Sequence, residues 1–127
     1  YLSSYPNSSS RMYYIGKDIK KLIDEGIINK NIGVPIEPIP IDIESVHPHA
    51  EKRFKEREIT INDAKGYVKN AKIMFVQSNK SKYAYYSKEG AAVMIVANKE
   101  LNTAFPNTEK WFDEGAKKIL EVVRENG

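Results

Sequence analysis

After Asn70 the chain breaks into four short apolar runs, KIMFVQS, KYAYYS, AAVMIVA and LNTAFP, separated by NKS, KEG and NKE. Each run is β-branched or aromatic and of strand length. Gaps this short cannot hold a crossover helix, so successive strands must fold back on one another as hairpins. The spacing therefore predicts a four-stranded antiparallel meander whose last strand stops at Pro106.

The flanking segments read differently. GKDIKKLIDEGIINKNIG repeats apolar residues at Ile19, Leu22, Ile23 and Ile27, a helical period, with Gly26 or Gly33 available to end it. In VPIEPIPIDIE, prolines 35, 38 and 40 exclude a helix and a central strand. What remains is an extended arm that wraps the domain with Val34, Ile36, Ile39, Ile41 and Ile43, with room for an edge strand. Pro48 suits a first helical turn, which predicts a helix over 48–58 with Ala50 and Phe54 inward. Thr60 and Asp63 form a capping-box pattern opening a second helix through Lys69, with Ala64, Val68 and Tyr67 inward. Gly66 weakens that helix by about 1 kcal/mol relative to alanine. NTEKWFDEGAKKILEVVRENG brings Trp111, Phe112, Ile119, Leu120 and Val123 toward a core as a closing helix. YLSSYPNSSS is too polar to offset the entropy of ordering. The expectation is an α+β fold with N-terminal helices on a four-stranded antiparallel meander and a C-terminal helix. Residues 1–16 would be a flexible linker, and 17–127 one domain.

Composition narrows the chemistry. With no cysteine, disulfide frameworks, thiol nucleophiles and thiolate metal sites are excluded. No window approaches a membrane span and no charged segment leads into an apolar stretch, so the chain reads as soluble. It opens on Tyr1, which suggests a piece of a larger protein. Charge is uneven: +1 over residues 1–16, −2 over 17–46, +5 over 47–90 and −1 over 91–127. A basic middle third suits an anionic partner and is also common on solvated faces.

The richest stretch is HPHAEKRFKEREIT, residues 47–60. On a helix His49, Arg53 and Arg57 recur every fourth residue, a stripe that drifts only about 40° per step. Such a stripe would let one imidazole and two guanidiniums converge. Histidine exchanges protons near neutral pH and arginine forks onto phosphate oxygens, so the trio suits phosphoryl chemistry. The competing reading is a solvated helix whose arginines pair with Glu51, Glu56 and Glu58. His47, just before Pro48, can act simply at the helix start. Lys80 and Lys82 beside Tyr83, Tyr85 and Tyr86 suit base stacking with backbone contacts, or ordinary cross-strand packing. Alternation sends Tyr83 and Tyr85 one way and Tyr86 the other. Thr103 is a polar residue in an apolar strand, expected on one side with Leu101 and Phe105. Nothing spaces the carboxylates as metal ligands, and no Gly-rich phosphate loop is present.

The order HAEKRFKEREIT, YAYYSKEGAAVMIV, LNTAFP resembles the C-terminal nuclease modules of phage-associated and polymorphic bacterial toxins. These belong to the group named for barnase, EndoU, the tRNase colicins and RelE, shortened to BECR. The likeness spans residues 47 to about 106, and its helix motif is matched by His49, Ala50, Arg53, Arg57, Ile59 and Thr60. Where the group carries glycine before the isoleucine, this chain has Glu58. The resemblance implies one or two helices on a four-stranded sheet and a metal-independent ribonuclease without cofactors. In that chemistry a ribose 2′-hydroxyl attacks the neighbouring phosphate, leaving a cyclic phosphate and a 5′-hydroxyl. His49 would be general base or acid, Arg53 and Arg57 would stabilise the phosphorane, and Thr103 and Tyr86 would orient the phosphate or share proton transfer. Lys52, Lys80, Lys82 and Tyr85 would contact RNA. The implied partners are RNA, tRNA foremost, and a cognate immunity protein. The implied setting is delivery within a larger toxin, with activity in a target bacterium's cytoplasm. A noncatalytic RNA-binding or partner-binding module, or a structural domain of a phage or surface protein, is the competing expectation.

Overall fold

The computed structural model describes residues 8–77, 79–107 and 114–126. The first helix, α1, spans Ser8–Asp24. Residues 8–16 are therefore helical, correcting the expectation that the linker runs to residue 16. The reason is tertiary: Ile15 and Ile19, one turn apart, are both fully buried, and that burial carries a serine-rich start into the helix. Gly26, at φ 81°, lets the chain leave the helix while Ile27 N donates to Leu22 O at 2.9 Å. The turn also moves the buried position by one residue, so Ile28 enters the core and Ile27 faces solvent.

The predicted hairpins are present as β3 (Ile73–Gln77), β4 (Lys82–Tyr86), β5 (Gly90–Ile95) and β6 (Glu100–Pro106), each antiparallel to the next. The sheet is larger than predicted, however. The proline-rich arm supplies β1 (Val34–Ile36), antiparallel to β3, and β2 (Ser45–Val46), parallel to β6. The result is a six-stranded mixed sheet in the order β1-β3-β4-β5-β6-β2, in place of a four-stranded antiparallel meander. Prolines keep the arm out of the middle of the sheet and leave its two edges as the places where it can pair. Between those edges the arm crosses one face, where Ile36, Ile41 and Ile43 pack, and Tyr85 Oη donates to Ile39 O at 2.5 Å.

Helices cover both faces. On one, α1 and α4 (Glu114–Asn126) pack Ile15, Ile19, Ile119, Leu120 and Val123 against Ile73, Phe75 and Tyr86. On the other, α2 (Pro48–Arg57) and α3 (Ile61–Lys69) pack Ala50, Phe54, Ala64 and Val68 against Met74, Tyr85, Met94 and Leu101. Thr60 and Asp63 form the predicted capping box, with reciprocal bonds of 2.9 and 3.1 Å. Trp111 and Phe112 lie outside the described residues.

Candidate functional site

The site candidates gather around one sheet edge. β2 pairs with only the first two residues of β6, and His47 N extends that ladder by donating to Leu101 O at 3.0 Å. The chain then turns into α2, which runs beside β6 with Ala50 and Phe54 buried against the sheet. Beyond Leu101 the outer edge of β6 has no strand partner among the described residues.

Arg57, only 7% exposed, occupies that vacant edge. Its Nη1 donates to Ala104 O at 2.6 Å and to Thr103 Oγ1 at 3.2 Å, while its Cζ lies 5.6 Å from the centre of the Phe105 ring. The guanidinium thus does part of what a neighbouring strand would do, satisfying an edge carbonyl and covering an aromatic face. This corrects the expectation that the imidazole and both guanidiniums converge. His49 and Arg53, two turns and one turn earlier on α2, are exposed, whereas the third member has turned inward onto β6.

A register shift decides where Thr103 points. Val93 pairs with Thr103 and Met94 with Leu101, leaving Asn102 as an extra residue in β6. The bulge puts Leu101 in the core beneath α2 and α3, while Phe105 packs on the opposite face. Thr103 therefore shares a side with Val93 and Phe105 and not with Leu101, unlike the simple alternation predicted. One row further along, Ile73, Tyr86, Ala91 and Phe105 stand abreast across four strands. Tyr86 and Phe105 lie two strands apart on one face, with only the small Ala91 between them. Together with Gln77, Asn29, Asn31 and Gly115 they line a cavity of 280 Å³. Arg57, Thr103 and Phe105 thus form one neighbourhood at the edge of β6, and Phe105 shares the lining of this cavity with Tyr86.

The other candidates separate. His47 is the N-cap of α2, its Nδ1 accepting from His49 N at 3.2 Å, and the two imidazoles stack at 5.2 Å. Accepting at Nδ1 leaves Nε2 to carry the proton of the neutral ring. Lys52 is exposed beside the α2 stripe. Lys80 is exposed on the β3–β4 turn at φ 73° and Lys82 opens β4, both at the sheet end away from the Tyr86–Phe105 row. Tyr85 is fully buried, so it offers no face to a base, which corrects its assignment as an RNA contact. Burial, with Tyr83 beside it, pushes its phenol well above the usual tyrosine range.

Two features of this neighbourhood escaped the sequence reading. Phe105, which Arg57 covers at the edge of the sheet, has no signal beyond its place in an apolar strand. Gly90 is packed so closely that a Cβ there would lie 2.5 Å from Phe105 O and 2.6 Å from the Tyr67 ring. Among the described residues no three His, Asp or Glu side chains group as metal ligands, and no helix is long and apolar enough to cross a membrane. No family model, curated protein or solved structure matches the chain.

Proposed function

We propose that this domain is a metal-independent endoribonuclease of the toxin type, with tRNA as the foremost substrate. The observation that carries the reading is the Arg57–Thr103 contact at 3.2 Å. It joins the foot of the α2 stripe to Thr103 of β6, beside a cavity lined by Phe105. In the reaction a ribose 2′-oxygen bonds to the adjacent phosphorus and the bond from phosphorus to the 5′-oxygen breaks. A base accepts the 2′-hydroxyl proton, and an acid returns one to the leaving 5′-oxygen. His49 is the proton-transfer group, exposed and within the range of residues an RNA strand along α2 would meet. Arg53, one turn away, supplies positive charge to the phosphorane. Arg57 is a positioning residue, because its Nη1 is already engaged by Ala104 and Thr103. Thr103, half-buried at the open edge of β6, orients the phosphate. Tyr86, 7% exposed and packed toward α1 and α4 on the face of the sheet opposite α2, is a core residue and takes no part, contrary to the role the resemblance implied. Delivery within a larger toxin and restraint by an immunity protein belong to the same reading.

Incubating the domain with total RNA in EDTA tests this directly. Cyclic-phosphate ends are expected, and intact RNA across tRNA, rRNA and mRNA pools would rule it out. A second reading, a noncatalytic RNA-binding module, is favoured by the helix-capping role of His47 and by the exposure of both His49 and Arg53. It predicts salt-sensitive binding that survives His49→Ala, with cleavage by neither form.

A further inference from the structure

The sheet end that carries Tyr86 and Phe105 also carries a basic concavity. Lys69 closes α3, Lys72 precedes β3, and Lys88 sits on the β4–β5 turn. With Asn70, Ala71 and Glu89 they line a cavity of 380 Å³. Main-chain bonds hold its walls: Lys72 N donates to Tyr86 O at 2.8 Å, Asn70 N to Gly66 O at 2.8 Å and Asn107 N to Glu89 O at 3.0 Å. The Asn107 side chain also donates to the Lys88 carbonyl. Lys69 is shared with an adjacent cavity of 450 Å³ that adds Lys65, one turn earlier on α3, and Asp42.

None of these four lysines makes an ion pair among the described residues, whereas Lys20, Lys99, Lys117 and Lys118 each have a carboxylate within 4 Å. Against four cations the two cavities present only Asp42 and Glu89. Like charges gathered without partners repel, so the arrangement is most favourable with an anion between them. Lysines act as separate point charges and not as a single fork, and Lys65 and Lys69 stand about 6 Å apart along the helix. That geometry fits a line of phosphates better than one small anion.

We infer that Lys65, Lys69, Lys72 and Lys88 form a binding track for the phosphodiester backbone of single-stranded RNA. The inference rests on the ribonuclease reading for its choice of RNA over another phosphate polymer. It concerns binding alone, so it can fail or survive independently of catalysis.

The test uses a labelled RNA oligonucleotide methylated at every 2′-oxygen, which cannot undergo transesterification. Its affinity is measured across salt concentrations for the native domain, for Lys69→Gln/Lys72→Gln/Lys88→Gln, and for Lys99→Gln/Lys117→Gln/Lys118→Gln as a charge-matched control. The track predicts at least a tenfold loss for the first triple variant, with its salt slope shallower by about 2. The control should bind within about twofold of native. Equal losses in both triples would reduce the effect to bulk charge and overturn the track, as would unchanged binding by the first. Absence of RNA binding by the native domain would also overturn it. Inorganic phosphate at low millimolar concentration and constant ionic strength should leave the complex intact, and displacement would identify a small-anion pocket instead. Native binding without cleavage of unmodified RNA would sink the ribonuclease reading while leaving the track standing.

Discussion

Arg57 and Thr103 lie 46 residues apart in sequence, yet Nη1 of one donates to Oγ1 of the other across 3.2 Å at the open edge of β6. The same nitrogen holds Ala104 O at 2.6 Å, so the guanidinium both closes the sheet edge and fixes the threonine. Arg57→Ala leaves a buried carbonyl without its donor and should lower stability by about 2–3 kcal/mol. Thr103→Val should cost about 1 kcal/mol. Denaturant unfolding of both variants and of the double variant gives the coupling, expected near 1 kcal/mol. Strict additivity would mean that the contact contributes nothing.

His49 and Arg53 make the opposite case. Both are exposed on α2, away from the buried Ala50 and Phe54, so replacement by alanine should change stability by no more than about 0.5 kcal/mol. RNA cleavage should nevertheless fall by about 100-fold or more for His49→Ala, the usual scale for losing a proton-transfer group. Cleavage rates measured alongside thermal melts separate the two effects. Undiminished cleavage by His49→Ala would remove the residue from the chemistry.

Tyr85 gives the domain an alkaline limit. Its phenol is fully buried and bonded to Ile39 O, and burial holds its pKa well above the unfolded value. A group with a raised folded pKa contributes stability in full below its unfolded pKa, near 10. That contribution declines as pH rises further, since the unfolded chain ionises first. Tyr67 adds to the same trend, its pKa raised by burial and by the nearby Asp63 and Glu89 carboxylates. Stability should therefore begin to fall above about pH 10. Tyr85→Phe should flatten that decline while costing about 1 kcal/mol at neutral pH through the lost tether to the arm. Chemical unfolding at pH 8 and pH 10.5 would reveal either outcome.

Glu58 ends α2 at φ 57° and ψ 40°, a left-handed conformation that disfavours a side chain. The turn from α2 into Ile59 runs through this positive φ, which glycine adopts without a Cβ penalty. Glu58→Gly should stabilise the domain by about 1 kcal/mol, read as a higher unfolding midpoint. A lower midpoint would mean that the glutamate side chain has a compensating role.

Gly90 has no room for a methyl group between Phe105 O and the Tyr67 ring. Gly90→Ala should destabilise by about 1–3 kcal/mol through overpacking. It should also disturb Phe105, the ring beneath the Arg57 guanidinium. Restoration by the additional change Tyr67→Leu, which clears the crowded ring, would assign the cost to that contact.

The hairpins, the start of α2 at Pro48 and the capping box at Thr60 were legible because they depend on local rules. Short gaps force antiparallel return, a fixed φ suits a first helical turn, and a side chain reaches three residues along its own backbone. Much of the candidate site was not local. Alternation along LNTAFP put Thr103 beside Leu101, and a single extra residue in β6, visible only against its neighbour β5, sent them to opposite faces. Helical spacing aligned His49, Arg53 and Arg57 correctly along α2. It could not indicate that the last of them would find an unpaired carbonyl on β6 and turn inward.

The sequence by itself determined the three successive hairpins from β3 to β6, though not the six-stranded sheet that contains them, together with the helix boundaries of α2 and α3, the exclusion of thiol chemistry and the basic character of the middle third. Tertiary structure alone decided that the proline-rich arm would pair at both sheet edges, that Tyr85 would be buried rather than offered to a ligand, and that Arg57 would join Thr103. Backbone periodicity and turn length act over a few residues, so they are written in the chain. Which strand edge remains open, and which side chain reaches it, depends on groups brought together from 46 residues away.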